Sequence, residues 1–133
     1  MLEAYSLGIT VPAGSAVPFN NVTVEKGSTA LLESSATIQL NRCGVYMVAC
    51  DGSASTACTL QLFKDGVAVA QAQSSATGAT AGSNSLSFVT LVQVNHSNCE
   101  CNCCSSPVAL QVKNTSATPA TLNNVNVVIT KIC

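Results

Sequence analysis

Charge is what this sequence has least of. Five of its 133 residues are lysine or arginine and six are aspartate or glutamate, a net charge of −1. The charged share is 8%, where soluble domains usually carry roughly a quarter. The basic residues Lys26, Arg42, Lys64, Lys113 and Lys131 are scattered. Without a basic stripe to displace counterions from phosphates, nucleic acid is excluded as a partner. No apolar run is long enough to cross a bilayer, so no membrane partner is expected. The opening Met1-Leu2-Glu3-Ala4-Tyr5-Ser6 lacks the basic and apolar regions of a secretory signal. The expectation is synthesis in the cytoplasm without a signal peptide.

The scarcity of catalytic side chains is as informative. Histidine occurs once, at His96, in a polar stretch whose nearest carboxylate is Glu100. Nucleophilic catalysis needs a nucleophile, a base within hydrogen-bond reach and an orienting group, and nothing nominates such a set. Gly-x-Ser-x-Gly and Gly-x-Gly-x-x-Gly are both absent. The carboxylates Glu3, Glu25, Glu33, Asp51, Asp65 and Glu100 are dispersed, whereas a hard cation needs several oxygens brought together. Neither an enzyme nor a cofactor is expected.

Apolar residues and cysteine are plentiful. The hydrophobic share is 47%, and a chain so short of charge covers its apolar surface most simply by burying it between subunits. Eight cysteines are present, four of them in Cys99-Glu100-Cys101-Asn102-Cys103-Cys104. Zinc and iron–sulfur sites usually draw Cys-x-x-Cys pairs from separate loops. The spacing here is too tight for one chain to wrap four thiolates tetrahedrally. A soft-metal site at Cys99, Cys101, Cys103 and Cys104 is the minor alternative. Disulfides are the favoured reading, with adjacent Cys103 and Cys104 directed apart and some bonds joining subunits. Cys58 shares a strand face with Leu60 and Leu62 and reads as a buried thiol, as does Cys50. Disulfides without an export signal suit a protein folded in cytosol and exposed later by lysis, as on phage particles or spore coats.

The hydrophobic pattern is β throughout. Leu86, Phe88, Val92 and Val94 alternate with Ser85, Ser87, Val89 and Gln93, and Val108, Leu110 and Val112 with Ala109, Gln111 and Lys113. Val125, Val127 and Ile129 lie opposite Asn124, Asn126 and Thr130. Lys64-Asp65-Gly66 reads as a tight hairpin turn, and Pro12, Pro18, Pro107 and Pro119 fall at the edges of runs. Roughly eight to ten short antiparallel strands predict an all-β sandwich or jelly roll. Tyr46 and Phe88, inside strongly apolar strands, are expected in its core.

Gly44-Val45-Tyr46-Met47-Val48, preceded by Ile38-Gln39-Leu40, resembles the central signature of the tumour necrosis factor and complement-type globular heads. Leu60-Gln61-Leu62-Phe63-Lys64-Asp65-Gly66 resembles that superfamily's next strand and turn. Ser85–Val94 resembles its long inner strand and Asn124–Ile132 its closing strand. The resemblance implies a TNF-like jelly roll assembling as a compact homotrimer, in a bacterial or phage branch whose modules are surface or fibre-tip domains. It also implies that the Gly-Val-Tyr strand runs beside the closing strand, which would bring Cys43 to Cys133 and form a disulfide. Closing a loop of about 90 residues would contribute about 4 kcal/mol in the chain-entropy model. Residues 1–133 form one domain in this reading. Residues 1–16 are an N-terminal docking segment, and a cysteine-rich loop at 95–107 replaces a short turn.

The function expected is that of a non-enzymatic structural protein on a virion surface. It would be a capsid-decorating or head-fibre-type phage trimer, binding its own copies and a capsid protein, the latter through the N-terminal segment. The alternatives are a bacterial spore-surface protein of the exosporium type and a glycan- or receptor-binding head.

Overall fold

The computed structural model describes residues 1–27, 29–78, 84–95 and 107–133, and residues 99, 100, 103 and 104 by their backbone alone. The strands are β1 (Leu2–Val11), β2 (Asn21–Glu25), β3 (Ala30–Ser34), β4 (Thr37–Leu40), β5 (Gly44–Ala54) and β6 (Cys58–Lys64). They continue with β7 (Val67–Ala76), β8 (Ser85–Val94), β9 (Cys99–Glu100), β10 (Cys103–Cys104), β11 (Val108–Asn114) and β12 (Ala120–Lys131). One five-stranded sheet has the order β2-β1-β12-β5-β8 and the other β3-β4-β11-β6-β7, with β9 and β10 forming a separate hairpin. Every pairing is antiparallel.

The alternation read from the sequence is the alternation of burial. In β8 each residue of the set Leu86, Phe88, Thr90, Val92 and Val94 is buried, and the intervening residues are exposed. A strand in a two-layer sandwich must do this, because successive side chains leave opposite faces of the sheet. Between the layers lie Phe19, Tyr46, Leu60, Leu62, Leu110 and Ile129, among others. Phe88 is buried as well, so both aromatics expected in the core are there. The Tyr46 hydroxyl donates to the Arg42 carbonyl at 2.7 Å, and burial raises its pKa above the ordinary phenol value. Buried Asn114 donates to the Val11 carbonyl at 3.1 Å and the Thr118 carbonyl at 3.0 Å, fastening the β11–β12 loop to the end of β1.

The Lys64-Asp65-Gly66 turn is a two-residue hairpin with φ of 50° at Asp65 and 82° at Gly66. These positive values suit a type I′ turn, whose twist matches that of the strands it joins. The Asp65 carboxylate then accepts from the Ala109 amide at 2.9 Å, tying the turn to β11.

Residues 2–11, read from the sequence within a docking segment, form β1, which pairs with β12 on one side and β2 on the other. Leu2, Ala4 and Ser6 are buried in the body of the domain. Only the outward residues of β1 are open to a partner.

At its far end the first sheet terminates in β8 among the described residues, and side chains of the other sheet bond two backbone groups on its outer edge. The Ser87 amide donates to Ser74 Oγ at 3.0 Å, and Lys64 Nζ donates to the Gln93 carbonyl at 2.7 Å. Gln71 Nε2 donates to Thr90 Oγ1 at 3.0 Å. Side chains of β6 and β7 thus bridge the two sheets there.

Candidate functional site

Two features of the surface stand out, and both follow from register. The first is the outward face of the β2-β1-β12-β5-β8 sheet. On it Val89, Ala49 and Val128 form one cross-strand row, and Leu91, Met47 and Thr130 the next, with Val45 beside Gln93 beyond them. Val89 is 63% exposed and Leu91 59%. Apolar side chains adjoining across three strands make a contiguous patch, the mark of an interaction surface rather than of scattered exposure. Its upper border is polar: Ser87, Asp51, Asn126 and Tyr5 occupy the next row.

The outward face of the other sheet is unlike it. Gln39, Gln61, Gln111 and Lys113 project from it, and the Lys113 ammonium lies 4.7 Å from the centre of the Phe63 ring. Gln111 Nε2 donates to Thr37 Oγ1 at 3.0 Å, and the Thr59 and Ser75 hydroxyls bond at 2.7 Å. This face satisfies its own polar groups and covers its one aromatic ring. Among the described residues the first face has no such cover.

The second feature is the end of the sandwich where β5 begins and β8 and β12 finish. Gly44 pairs with Val94. The Val45 amide donates to the Cys133 carbonyl at 3.3 Å, and the Ile132 amide to the Val45 carbonyl at 2.8 Å. The implied neighbourhood of the two strands is therefore present, but the implied Cys43–Cys133 disulfide is not. Cys133 is a free, exposed thiol. The β5–β12 register pairs Lys131 with Tyr46, so Cys133 falls beside Gly44 rather than Cys43. An offset of one residue puts two side chains on opposite faces of a sheet. Cys43 is buried, its Sγ 3.5 Å from the Asn95 carbonyl oxygen. It is disulfide-bonded, to a partner outside the described residues.

Cys50 and Cys58 are free and buried, as read from the sequence. They belong to β5 and β6, one in each sheet, with Cys50 flanked by Val127 and Phe88. Burial pushes the Cys50 thiol up to about 12, with the Asp51 charge adding to the shift, and burial raises Cys58 too. Burial thus holds both thiols in the protonated, unreactive form.

In the β9–β10 hairpin the backbone sets Cys104 opposite Cys99 and Cys103 opposite Glu100. The side chains of Cys99, Cys101, Cys103 and Cys104, on which both the disulfide and the metal readings turn, lie outside the described residues, as does His96. The apolar patch was missed by sequence reading, which grouped Val89 with the polar residues of its strand. Val45, Met47 and Ala49, alternating with buried Tyr46, Val48 and Cys50, carried the signal.

The sequence matches no family model and no curated protein. Solved structures match over nearly the whole chain. The globular domain of the zebrafish complement 1qA protein superposes with a TM-score of 0.72 at 11% identity, covering 99% of this chain and 96% of that one. Murine APRIL gives 0.66 at 10% identity, covering 98% of each. PRD1 vertex protein P5 gives 0.62 at 17% identity, covering 99% of this chain and 72% of that one. Two antiparallel sheets of five strands with this strand order, together with these likenesses, give the chain the TNF-like jelly-roll fold.

Proposed function

We propose that this chain is a non-enzymatic structural protein that assembles as a homotrimer and serves on the surface of a phage particle, as a capsid-decorating or fibre-type protein. The observation that carries self-association is the apolar patch centred on Val89 and Leu91, exposed at 63% and 59%. A chain with so little charge has no other means on that face of keeping apolar side chains from water. The likeness to PRD1 vertex protein P5, a phage vertex protein, supports the particle reading. A capsid protein is the proposed second partner, reached through the outward residues of β1.

The cysteine-rich end has a covalent part in this proposal. Cys99, Cys101, Cys103 and Cys104 form disulfides, some of them between copies, with Cys43 joined to this group. Directly opposed residues of an antiparallel pair lie within the distance a disulfide spans, which nominates Cys99 and Cys104 as one bonded pair.

Native mass measurement tests the assembly. Three times the 13.5 kDa chain mass is expected, and a monomer at micromolar concentration sinks the proposal. Alkylation without reductant tests the cysteines. Cys133 is expected to label within minutes, and Cys50 and Cys58 only after unfolding, because a buried, protonated thiol is inert. Unreduced peptide maps should contain cystine-linked peptides from the 99–104 segment. Labelling of that segment after chelation alone would instead point to metal.

A further inference from the structure

We infer a second interaction surface, independent of the apolar face: the end of the sandwich where β5 begins is a cationic seat for an acidic segment of a protein partner.

The five cationic residues are scattered in sequence, but the fold gathers Lys26, Arg42, Lys64 and Lys131 at this end. Lys131 closes β12 opposite Tyr46, and Lys64 closes β6. Both continue the inward-facing set of their strands, Lys131 following buried Ile129 and Lys64 following buried Leu62. At the mouth of a core such side chains lay their stems over apolar residues and keep the ammonium in water. Arg42 stands two residues before Gly44, and its carbonyl is the acceptor of the Tyr46 hydroxyl. Lys26 is joined by backbone bonds to Met1, just ahead of β1. Lys113 is the exception, on the outward face of the other sheet against the Phe63 ring.

Two of these ammonium groups are held in place. Lys64 Nζ donates to the Gln93 carbonyl at 2.7 Å, which uses one of its three donors. Lys131 fills the room left by the missing side chain of Gly44, where a Cβ would stand 2.7 Å from its Cε and 3.1 Å from its Nζ. Gly44 lies opposite Val94, and Val45 opposite Gln93. The two lysines therefore flank the start of β5, one from each sheet.

Among the described residues none of the four cations makes an ion pair. Asp65, next to Lys64, is turned to the Ala109 amide at 2.9 Å, and Glu25 lies on edge strand β2 opposite Leu2. Ammonium groups already held, with donors to spare, lose little freedom when a carboxylate arrives. Ile132, 53% exposed, adds apolar contact beside them, a mixture that protein interfaces share. Nucleic acid gains its affinity from a long row of cations and from aromatic platforms, and this end has neither.

Fluorescence anisotropy of the full chain with labelled poly-glutamate tests the inference. The net charge is −1, so general attraction to a polyanion is not what the experiment would read. Binding is expected at low salt and should weaken by about tenfold or more in roughly 0.5 M salt, where exposed charges are screened. Lys64→Gln combined with Lys131→Gln should weaken low-salt binding by about tenfold, while Lys113→Gln leaves it unchanged. Circular dichroism checks the fold of each variant. Should the double variant not fold, Arg42→Gln takes its place, with a loss of about threefold expected. Absence of binding at low salt overturns the inference, as does an equal loss in Lys113→Gln. Tighter binding of duplex DNA, or of phosphatidylserine vesicles, than of poly-glutamate overturns the choice of a protein partner.

Discussion

Replacing Val89 and Leu91 together with aspartate should turn the proposed trimer into a folded monomer. Both side chains leave the outward face of β8, while the fold rests on the alternate set from Leu86 to Val94. The fold therefore loses little. Burying a side chain of this size contributes about 1.5 to 3 kcal/mol, and each copy would lose two. The introduced carboxylates would also have to be desolvated, at a further cost of several kcal/mol unless paired. Each 1.4 kcal/mol is a tenfold change, so association should weaken by more than about a thousandfold. Sedimentation velocity would read the mass, and far-ultraviolet circular dichroism would show the β signal retained. Val67→Asp is the control: Val67 is 70% exposed but sits on β7 of the other sheet, and its replacement should leave the mass unchanged. A double variant that still sediments with the wild type removes this face from the interface.

Gly44→Val is expected to lower stability by about 3 kcal/mol, through backbone strain combined with a clash. Gly44 has φ of 140°, and a Cβ built there would stand 2.2 Å from the Cys133 carbonyl oxygen and 2.7 Å from Lys131 Cε. Relief requires the end of β12 to move off β5, breaking the bonds between Val45 and the Ile132 and Cys133 backbone. For a chain of this length the melting temperature should drop by roughly 10 °C, and the Val45 and Ile132 amides should exchange faster with solvent. A variant melting within a degree or two of the wild type would refute the account. The glycine of Gly-Val-Tyr is thus explained by the close approach of the start of β5 to the residues that end and follow β12. Its motif neighbour Tyr46 fills the core and bonds Arg42.

The strands were legible because a two-layer sandwich imposes a period of two on its sequence, and β8, β11 and the second half of β12 keep that period closely. The turn at Asp65-Gly66 was legible because few dipeptides tolerate positive φ twice. The apolar patch was not, because it exists only once β5, β8 and β12 lie side by side. Val89, Met47 and Val128 are far apart along the chain, and each alone is an unremarkable exposed residue. The Cys43–Cys133 expectation failed for a related reason. The resemblance implied which strands adjoin, whereas register is set by every contact along the strand, and a single residue decides which side chains meet. The N-terminal segment was read for docking, and its strand character went unread; residues 2–11 pair on both sides, with their outward side chains left to face a partner.

The bonded groups on the outer edge of β8 bear on what happens when many copies are crowded together. An open strand edge is a template on which another molecule can continue the sheet, and repetition of that step gives a fibre. Here Ser74 occupies the Ser87 amide and Lys64 the Gln93 carbonyl. Those two groups are therefore not free to pair with a strand of another copy, even when patches bring copies into contact. Neighbours can meet through side chains without their backbones joining. That separates a contact that closes on itself from one that propagates, and it would let copies of so apolar a chain crowd together while each keeps its own fold.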